Sequence, residues 1–447
     1  MQNDTIVAIS TPSGRSGIGV IRLSGQNAKS IAFGVTGKKL QVKVPKLCSI
    51  KDENKQTIDE AIVVLYQAPK SYTGDDLIEI QCHGNPVILN EVMSLCCKRG
   101  ARPANPGEFT ERAFRNGKMT LEKAEAVADL INSQSLRAVK SAQRSLSGSF
   151  STRVNQISAS LKNSLVELEA AIDFSDETEN YFESSLNEQI KNQRKALKKL
   201  ITVAKNGNKL SMGLQVVLAG KPNVGKSSLL NIISSSNRAI VNQQPGTTRD
   251  TIEVSIEIKG NPIKLIDTAG IREDADEIER EGIARTKDAI HFSDVVLFVV
   301  DNQRDLNNYQ NLLSKLELTK YESKIFLILN KIDRLKDRID ILRTQQNFTG
   351  VSAMTGDGVE SLMEKIGSIL IAEDEAETEF MARSRHIVAL ECALEELSNI
   401  SSSLPFANPE LLSEHYKSSI KYLSRITGEY CTEDLLGDIF SKFCIGK

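Results

Sequence analysis

The spacing of hydrophobic residues changes several times along the chain, and the first stretch has the pattern of short strands. TIVAIS, GIGVIRLSG, AIVVLY and LIEIQC are apolar runs bounded by Gly, Pro and Asp, as is typical of strands. NPVILNEVMSLCCKRG has helical spacing and a stop signal at Gly100. We therefore predict an α+β domain over residues 1–118.

From Met119 onward, apolar residues recur every three or four positions, which is typical of amphipathic helices. Few glycines or prolines interrupt this pattern up to residue 172, so we expect long packed helices. The acidic segment DFSDETENYFESS predicts a connection, and another helix is expected from there to about Lys205. NGNKLSMG, residues 206–213, predicts a linker. The apolar residues that recur with this helical spacing are Leu121, Ala124, Val127, Ile131, Val154, Ile157, Leu161, Leu165, Leu168 and Ile172.

Strand and helix patterns alternate over residues 211–372. The expected strands are LQVVLAG, PIKLIDTAG, DVVLFVVD, KIFLILNK and FTGVSA, an alternation that predicts a doubly wound, mainly parallel sheet. Helical spacing returns over residues 373–447. We expect 373–447 to pack against 119–210 as one helical domain, with the α/β domain inserted in it. The apolar residues with helical spacing in this segment are Ile387, Leu390, Leu394, Leu397 and Ile400.

Composition narrows the class of protein. The 447-residue chain has a net charge of −2, so no global positive field attracts it to nucleic acid or to a membrane. Seven cysteines without a CxxC pair and four scattered histidines predict no zinc site, and free thiols fit a reducing cytoplasm. The start lacks the features of a targeting sequence, and no apolar run approaches about 18 residues. We expect a cytoplasmic protein without a membrane span.

GKPNVGKSS, residues 220–228, follows an apolar strand and precedes the helix-like LLNIIS. It matches the phosphate-loop pattern G-x-x-x-x-G-K-[ST] in the context that this motif requires. Its glycines let backbone N–H groups surround an anion at a helix N-terminus. We predict that Lys226 reaches the β- and γ-phosphates and that the Ser227 hydroxyl binds Mg²⁺.

Further motifs follow in the order found in GTPases. DTAG ends a strand, so Asp267 is expected to hold Mg²⁺ through water and the Gly270 amide to meet the γ-phosphate. NKID places the Asp333 carboxylate where it can accept from guanine N1–H and the 2-amino group, which adenine lacks. SA at 352–353 supplies a backbone N–H for guanine O6, and Thr248 in GTTRD is the expected switch threonine for Mg²⁺.

One position departs from the Ras-like pattern. Ile271 follows DTAG where those proteins carry a glutamine that orients the attacking water. Either hydrolysis is negligible or another group takes this role, and Glu279 in ADEIEREG is a candidate, the alternative being a solvated helix charge. Asn223 has a carbonyl oxygen suited to a monovalent cation, which would neutralise developing phosphate charge as an arginine does.

The chain ends in FCIGK, and Cys444 allows three interpretations. A lipid-anchor box is disfavoured, because Gly446 is not aliphatic and no polybasic segment precedes it. A buried thiol in the helical domain and a thiol in a catalytic centre both remain open.

The combination of GKPNVGKSSLLN, PGTTRD, DTAGIR, RPANPGEFTERAFRNGKM and FCIGK resembles the MnmE (TrmE) family of tRNA-modification GTPases from end to end. The G motifs alone also resemble ribosome-assembly GTPases of the Der type. The MnmE resemblance implies a folate-binding-like dimerisation domain at 1–118 and helical segments at 119–210 and 373–447. It implies a Ras-like G domain at 211–372.

The resemblance also implies the activity. Members form homodimers and join an FAD- and NADH-using MnmG-type partner in a heterotetramer or larger complex. This complex installs an aminomethyl-type group at C5 of the wobble uridine of certain tRNAs. The one-carbon unit comes from 5,10-methylene-tetrahydrofolate, of which 5-formyl-tetrahydrofolate is an analogue. The G domains dimerise across K⁺, and GTP hydrolysis drives the cycle.

The resemblance assigns roles to individual residues. Glu279 and Lys226 are implied to be catalytic in GTP hydrolysis, and Cys444 to lie near the one-carbon unit. Ser227 and Thr248 are the implied Mg²⁺ ligands. The implied K⁺ ligands are Asn223, Asn242, Gln244 and Thr247, and the implied folate contacts are Arg22, Glu79, Lys118 and Lys447. The implied nucleotide contacts are Asn223, Val224, Gly225, Lys226, Ser227, Ser228, Asn242, Gln243, Gln244, Pro245, Gly246, Thr247, Thr248, Asp267, Thr268, Ala269, Gly270, Asn330, Lys331, Asp333, Ser352 and Ala353.

Two other hypotheses are open at this point. A ribosome-assembly GTPase would bind rRNA, but a single G domain and the lack of a basic RNA-binding module argue against it. A non-catalytic, nucleotide-gated scaffold is motivated by Ile271.

A local basic stretch is a candidate for tRNA contact, although the carboxylates of Glu108 and Glu111 reduce its net positive charge. It contains Lys98, Arg99, Arg102, Arg112 and Arg115.

Overall fold

The computed structural model of the chain forms two compact units, each built from separated stretches of sequence. The first unit consists of Met1–Ala128, Leu146–Gln193 and Cys392–Lys447, and the second of Asp129–Ser145 and Arg194–Glu391. The structure describes residues 4–173, 179–236, 252–258, 261–267, 289–291, 293–315, 318–335, 348–372, 380–400, 409–429 and 431–447.

Two six-stranded sheets account for the strands of the described residues. The strands are β1 (Thr5–Ile9), β2 (Ser16–Ser24), β3 (Lys46–Lys51), β4 (Thr57–Tyr66), β5 (Leu77–Gly84), β6 (Ala101–Pro103), β7 (Leu214–Ala219), β8 (Ile252–Ile258), β9 (Asn261–Asp267), β10 (Val295–Val300), β11 (Ile325–Leu329) and β12 (Thr349–Gly350).

The α-helices of the described ranges have lengths from one turn to about nine turns. They are α1 (Ala28–Thr36), α2 (Pro86–Lys98), α3 (Glu108–Arg115), α4 (Leu121–Asn132), α5 (Leu136–Leu146), α6 (Ser149–Asp173), α7 (Glu179–Met212), α8 (Lys226–Ser236), α9 (Gln303–Asn307), α10 (Tyr309–Lys315), α11 (Val359–Ala372), α12 (Ser384–Asn399), α13 (Pro409–Thr427) and α14 (Glu433–Phe440).

The sheet of the first unit has the order β3-β4-β5-β2-β1-β6 and is antiparallel apart from the β1–β6 pair. Alternate residues such as Ile21 and Ile80 face a core that α1 and α2 complete. α2 begins where the Asn85 side chain accepts from the Val87 amide. It ends at Lys98, so the predicted helix and the α+β class are confirmed.

The helical part of the first unit brings distant chain segments together. α13 packs along α6, as expected for residues 373–447 against residues 119–210. A buried polar chain crosses this packing, in which Tyr416 Oη donates to Gln193 Oε1 at 3.2 Å and Gln193 Nε2 donates to Ser164 Oγ at 2.8 Å. Because Tyr416, Gln193 and Ser164 hydrogen-bond one another, the bundle avoids a desolvation cost of about 1–3 kcal/mol for each of these buried groups.

The second unit contains a sheet in the order β12-β11-β10-β7-β9-β8. All of its pairs are parallel except β8–β9, so the predicted doubly wound, mainly parallel sheet is confirmed. β10 is buried along its whole length, as expected of a central strand with both faces covered. The carboxyl ends of β7, β9, β10 and β11 therefore lie along one edge.

The predicted linker at residues 206–213 is wrong, because α7 continues through Met212 and Gly213 ends it at φ +73°. Gly207, which suggested a break, is buried in this helix. A Cβ at Gly207 would lie 2.2 Å from the carbonyl oxygen of Phe380. Glycine is present there because another backbone passes close by, and this packing overrides its low helix propensity. The acidic connection is also shorter than predicted, since α7 begins at Glu179.

Among the residues that the structure describes, no helix combines the length and the apolar character needed to cross a bilayer.

A buried ion network joins the start of β1 to α3. Glu108 is 3% exposed. Its carboxylate accepts from Arg102 at 2.6 and 2.8 Å and from Arg112 at 3.0 Å, and Asp4 accepts from both arginines. Burial alone would raise the pKa of Glu108, but hydrogen bonds from Arg102, the Asn105 amide and Arg112 hold it below its usual value.

We predict that Glu108→Gln destabilises the first unit by about 3 kcal/mol at pH 7, because it leaves the buried Arg112 charge incompletely paired. A carboxylate with a lowered pKa contributes stability above its unfolded pKa of about 4.3 and loses that contribution as pH falls. Urea midpoints should therefore differ strongly between wild type and variant at pH 7, and the difference should shrink steadily as the pH falls below about 4. The exposed Glu91→Gln serves as the control; a gap that persists at low pH would contradict this account.

Candidate functional site

The phosphate loop lies between β7 and α8, where the motif placed it. Gly220 has φ +142°, and a Cβ there would lie 2.3 Å from the Val299 carbonyl oxygen, so only glycine lets the loop pass this close to β10. Lys226 is 5% exposed, and its Nζ donates to the carbonyls of Gly220 at 2.8 Å and Lys221 at 2.7 Å. The ammonium group therefore lies against the backbone of the loop that it is predicted to serve.

Two oxygen groups meet where β9 ends and α8 begins. Ser227 Oγ donates to Asp267 Oδ2 at 2.6 Å, and Asp267 is fully buried as the last residue of β9. A hydroxyl beside a carboxylate is the oxygen donor set that Mg²⁺ prefers. These two side chains therefore fit the predicted Mg²⁺ site and would supply oxygen atoms to the ion. No cluster of three or more His, Cys, Asp or Glu suited to a metal occurs elsewhere in the described ranges.

Asn330 connects three loops at the carboxyl edge of the sheet. Its side chain is 1% exposed, with Nδ2 donating to the Val224 carbonyl at 2.9 Å and Oδ1 accepting from the Ala353 amide at 3.0 Å. The phosphate loop, the end of β11 and the loop after β12 are thereby fixed relative to one another. A buried amide that uses both of its ends in this way is a positioning group.

The base-recognising carboxylate is also held in place. Asp333 Oδ1 accepts from Ser352 Oγ at 2.6 Å, and Ser352 Oγ in turn accepts from the amides of Met354 and Thr355. This chain orients Asp333 beside the Ser352–Ala353 backbone that was predicted to meet guanine O6. The Asp333 carboxylate matches the N1–H and 2-amino donors of guanine, which adenine lacks. In this structure the Ser352 amide donates to the Asp357 carbonyl at 2.9 Å and the Ala353 amide to Asn330 Oδ1, so the contact predicted with guanine O6 stays a prediction.

Asp301 belongs to this cluster and was missed from the sequence. It follows β10, and its Oδ2 accepts from Lys331 Nζ at 2.7 Å, while Lys331 Nζ also donates to the Asn223 carbonyl at 2.7 Å. The hydrogen bond from Lys331 is the main cause that lowers the pKa of Asp301. A carboxylate directly after DVVLFVV was the available signal. Asp301 orients the lysine of NKID and ties it to the phosphate loop.

Several predicted residues lie outside the described part of the chain, and their roles stay predictions. Glu279 and Ile271 are among them. The others are Asn242, Gln243, Gln244, Pro245, Gly246, Thr247, Thr248, Thr268, Ala269 and Gly270. Of the predicted K⁺ ligands, the described one is Asn223, an exposed residue at φ +62° in the phosphate loop. Ser228 lies on the exposed side of α8, and Gly225 at φ +94° precedes that helix.

The first unit brings the end of the chain to β1 and β2. Ser10 Oγ donates to the Gly446 carbonyl at 3.0 Å, and Arg22 Nη1 lies 3.5 Å from the same oxygen. Arg22 Nε also donates to Glu79 Oε1 at 2.9 Å. Burial and the neighbouring Arg22 charge lower the pKa of the Lys447 ammonium. Arg22, Glu79 and Lys447, three of the four predicted folate contacts, are therefore close together.

Lys118, the fourth predicted contact, lies between α3 and α4. Its Nζ donates to the Pro69 carbonyl at 3.0 Å. Pro69 is on the loop between β4 and β5. This loop also carries Tyr72, whose ring faces the Arg22 guanidinium at 5.8 Å and whose hydroxyl hydrogen-bonds Thr110 at 2.9 Å.

Cys444 is exposed, so the alternative of a buried thiol is wrong. The carbonyl of Cys444 accepts from the Gly107 amide at 3.4 Å, while Phe443 beside it is buried against Phe440. The tail is fixed by the phenylalanine and by Gly446, which leaves the thiol accessible. By contrast, burial raises the pKa of Cys82 and Cys96 to about 12, which makes those thiols unreactive.

The basic stretch considered for tRNA contact is largely neutralised within the fold. Arg102 and Arg112 are in the network with Asp4 and Glu108 described above. The remaining contacts are Lys98 with Glu53, Arg99 with the Leu95 carbonyl, and Arg115 with Glu111 and Glu433. These charges serve local structure, so the stretch does not form a free cationic surface.

Comparison with known proteins covers nearly the whole chain. The family model described as the MnmE helical domain matches residues 121–444, and that of the GTP-binding protein TrmE N-terminus matches residues 5–118. The tRNA modification GTPase MnmE of Nitrosomonas europaea is 42% identical over 453 residues, covering 100% of this chain and 99% of that protein. That of Francisella tularensis subsp. novicida is 41% identical, covering 99% of each.

A solved structure, the G domain of the T. maritima FeoB iron transporter, is 31% identical and covers 35% of this chain and 97% of its own, with a TM-score of 0.26. At that TM-score the likeness adds nothing to the assignment.

We predict that Asp333→Ala weakens binding of GDP on the order of 10²–10⁴-fold, because two charge-assisted hydrogen bonds to the guanine edge are lost. Binding of ADP should change little, so selectivity between the two bases disappears. Fluorescent nucleotide titration measures both constants. Glu360→Ala, which removes an exposed carboxylate from α11, is the matched control. Retained preference for guanine in Asp333→Ala would show that another group reads the base.

Proposed function

The chain belongs to the MnmE family of tRNA modification GTPases, and from this premise we propose the details of its reaction. We propose that it is a K⁺-stimulated GTPase that works as a homodimer with an MnmG-type, FAD-carrying partner. The pair modifies C5 of the wobble uridine of certain tRNAs with a one-carbon unit from 5,10-methylene-tetrahydrofolate. The bridging by Asn330 of the phosphate loop and the base-recognition loop is the observation that carries the GTPase half of this proposal.

In the proposed site, Lys226 and the loop amides bind the β- and γ-phosphates. Ser227, Asp267 and Thr248 hold Mg²⁺, which when bound supplies charge neutralisation on the phosphate oxygens. Asp333 holds the base through the guanine N1–H and 2-amino group. In this arrangement the nucleotide is oriented before any chemistry, and orientation together with electrostatic stabilisation is most of what phosphoryl transfer requires.

Water activation is assigned to Glu279, because Ile271 has no polar atom with which to orient the nucleophile. A carboxylate accepts a proton from water, directly or through a second water. Asn223, with Asn242, Gln244 and Thr247, offers oxygen ligands for K⁺, whose charge would act where an arginine finger acts in other GTPases. The exposed position of Asn223 at a left-handed turn supports this assignment.

The folate half of the proposal is supported by the cluster at the tail. Glu79 offers a carboxylate to the amide and amino edge of a pterin, and Arg22, Lys118 and Lys447 offer cations to a glutamate tail. The Arg22–Glu79 ion pair and the contact of Gly446 with Ser10 keep these groups in place without the ligand. Cys444, exposed beside them, is placed by the proposal near the one-carbon unit.

We predict that GTP turnover rises when KCl replaces NaCl at equal ionic strength, because the proposed mechanism assigns the oxygen site at Asn223 to K⁺. Multiple-turnover phosphate release measures this. Equal rates in both salts would contradict the cation-finger mechanism. If the protein hydrolyses GTP in neither salt, the nucleotide-gated scaffold is supported instead.

We predict that Glu279→Ala lowers the rate of GTP hydrolysis by about 10²–10⁴-fold, which is the usual contribution of a positioned general base, and leaves nucleotide affinity unchanged. Glu281→Ala, two residues along the same acidic segment, is the matched control and should hydrolyse GTP normally. Normal hydrolysis by Glu279→Ala would remove this residue from the mechanism.

We predict that Cys444→Ser abolishes wobble-uridine modification while GTP hydrolysis continues at the wild-type rate. Nucleoside mass analysis of tRNA from a strain that lacks the chromosomal gene and expresses the variant measures the modification. Cys392→Ser, a half-buried thiol of the same unit, is the control. Loss of both activities in Cys444→Ser would indicate a structural role, and unchanged wobble uridines in the strain lacking the gene altogether would contradict the proposed function itself.

A further inference from the structure

The second half of α7 has an unusual charge composition. Over residues 189–212 the sequence QIKNQRKALKKLITVAKNGNKLSM carries seven lysines and arginines and no aspartate or glutamate. The whole chain has a net charge of −2. The charge of this helix is therefore local, and it produces a positive field that the rest of the chain does not have.

The structure arranges these charges by face. Leu197, Leu200, Ile201 and Ala204 are buried, at 7% exposure or less, and anchor α7 to its neighbours. Lys195, Lys198 and Lys199 are all exposed. Positions i, i+3 and i+4 share one side of a helix, so these three lysines form a continuous surface, which we call the lysine face.

The lysine face has no ion-pair partner within the described residues, whereas the next lysine along the helix does. Lys205 Nζ pairs with Glu391 at 2.8 Å. In the basic stretch of residues 98–115, Lys98, Arg102, Arg112 and Arg115 are likewise paired with carboxylates, and Arg99 donates to the Leu95 carbonyl. The three ammonium groups of the lysine face therefore project from a rigid helix with their charge available to a partner.

We propose that the lysine face of α7 binds the phosphodiester backbone of tRNA; this inference rests on the proposed function in tRNA modification. Lys195 and Lys199 are separated by one helical turn, about 6 Å along the axis, which is comparable with the spacing of successive phosphates on a strand. Lysine is suited to this task as a mobile point charge. The face has no exposed aromatic residue, so it contacts backbone and does not read bases.

The composition of the face also favours nucleic acid over an acidic protein partner. Protein interfaces are depleted in lysine and are built around aromatic and arginine anchors. Here the exposed neighbours are Asn192, Ala196 and Thr202, none of which is such an anchor. Binding through three phosphates predicts a strong dependence on salt and little dependence on tRNA sequence.

The test uses the full-length protein and an unmodified tRNA transcript, with the dissociation constant measured by fluorescence anisotropy over about 50–200 mM NaCl. For the variant K195Q/K198Q/K199Q we expect on the order of 10- to 100-fold weaker binding at about 100 mM salt. The slope of log K against log salt should fall in magnitude by about 2–3. The variant K195R/K198R/K199R should bind as wild type does, because it retains the charges.

A matched control removes the same number of charges from lysines that are already paired. K29Q/K98Q/K417Q changes lysines that contact Asp76, Glu53 and Glu169 and should leave binding and slope within about twofold of wild type. GTP hydrolysis at the wild-type rate shows that each variant is folded. If the wild type hydrolyses GTP and binds tRNA but K195Q/K198Q/K199Q retains the wild-type affinity and slope, the lysine face is not the tRNA surface, although the proposed function stands.

Two other outcomes also overturn the inference. Equal losses in K195Q/K198Q/K199Q and in the control would mean that net charge and not this surface matters. If K195Q/K198Q/K199Q binds tRNA as wild type does but no longer co-purifies with the MnmG-type partner, α7 is a protein docking face. A wild-type protein that neither hydrolyses GTP nor supports wobble modification would contradict the proposed function instead.

Discussion

The parallel pairing of β7, β9, β10 and β11 is the constraint on which the nucleotide site depends. Parallel strands end together, so the residues that follow them must share one edge of the sheet. The phosphate loop, Asp267, Asp301 and Asn330 all occupy such positions. Their convergence needs no loop of special shape, because the hydrogen-bonded ladder fixes each strand end relative to the next.

That constraint explains why so much of the site was predictable from the sequence. Each motif followed an apolar run, and placing it at a strand end was enough to bring Lys226, Asp267 and Asp333 into one cluster. The motifs did not predict the hydrogen bonds that join one loop to another. The hydrogen bond from Lys331 to Asp301 joins two loops that are 30 residues apart, and no local pattern indicates such a pair.

Two of the errors involve a helical glycine that another chain segment approaches closely. Gly207 suggested a linker, and α1, which contains Gly34, was not predicted. A Cβ at Gly34 would lie 2.9 Å from the Arg99 side chain, and one at Gly207 would meet Phe380. Local propensity treats glycine as a breaker, whereas here it is a contact surface for another chain segment. β3 was missed for a different reason, since KLCSIK is an edge strand whose lysines obscure its alternation.

The double role of Asn330 has a consequence for the chemical ageing of the protein. Deamidation would turn its carboxamide into a carboxylate of the same shape, with an oxygen facing the Val224 carbonyl where an N–H now donates at 2.9 Å. Attraction would become repulsion at a position that is 1% exposed, and a new charge would need solvation that the site does not offer. A change of one atom would therefore separate the phosphate loop from the base-recognition loop. The same burial that makes this damage severe also restricts the backbone movement and the access of water that deamidation requires.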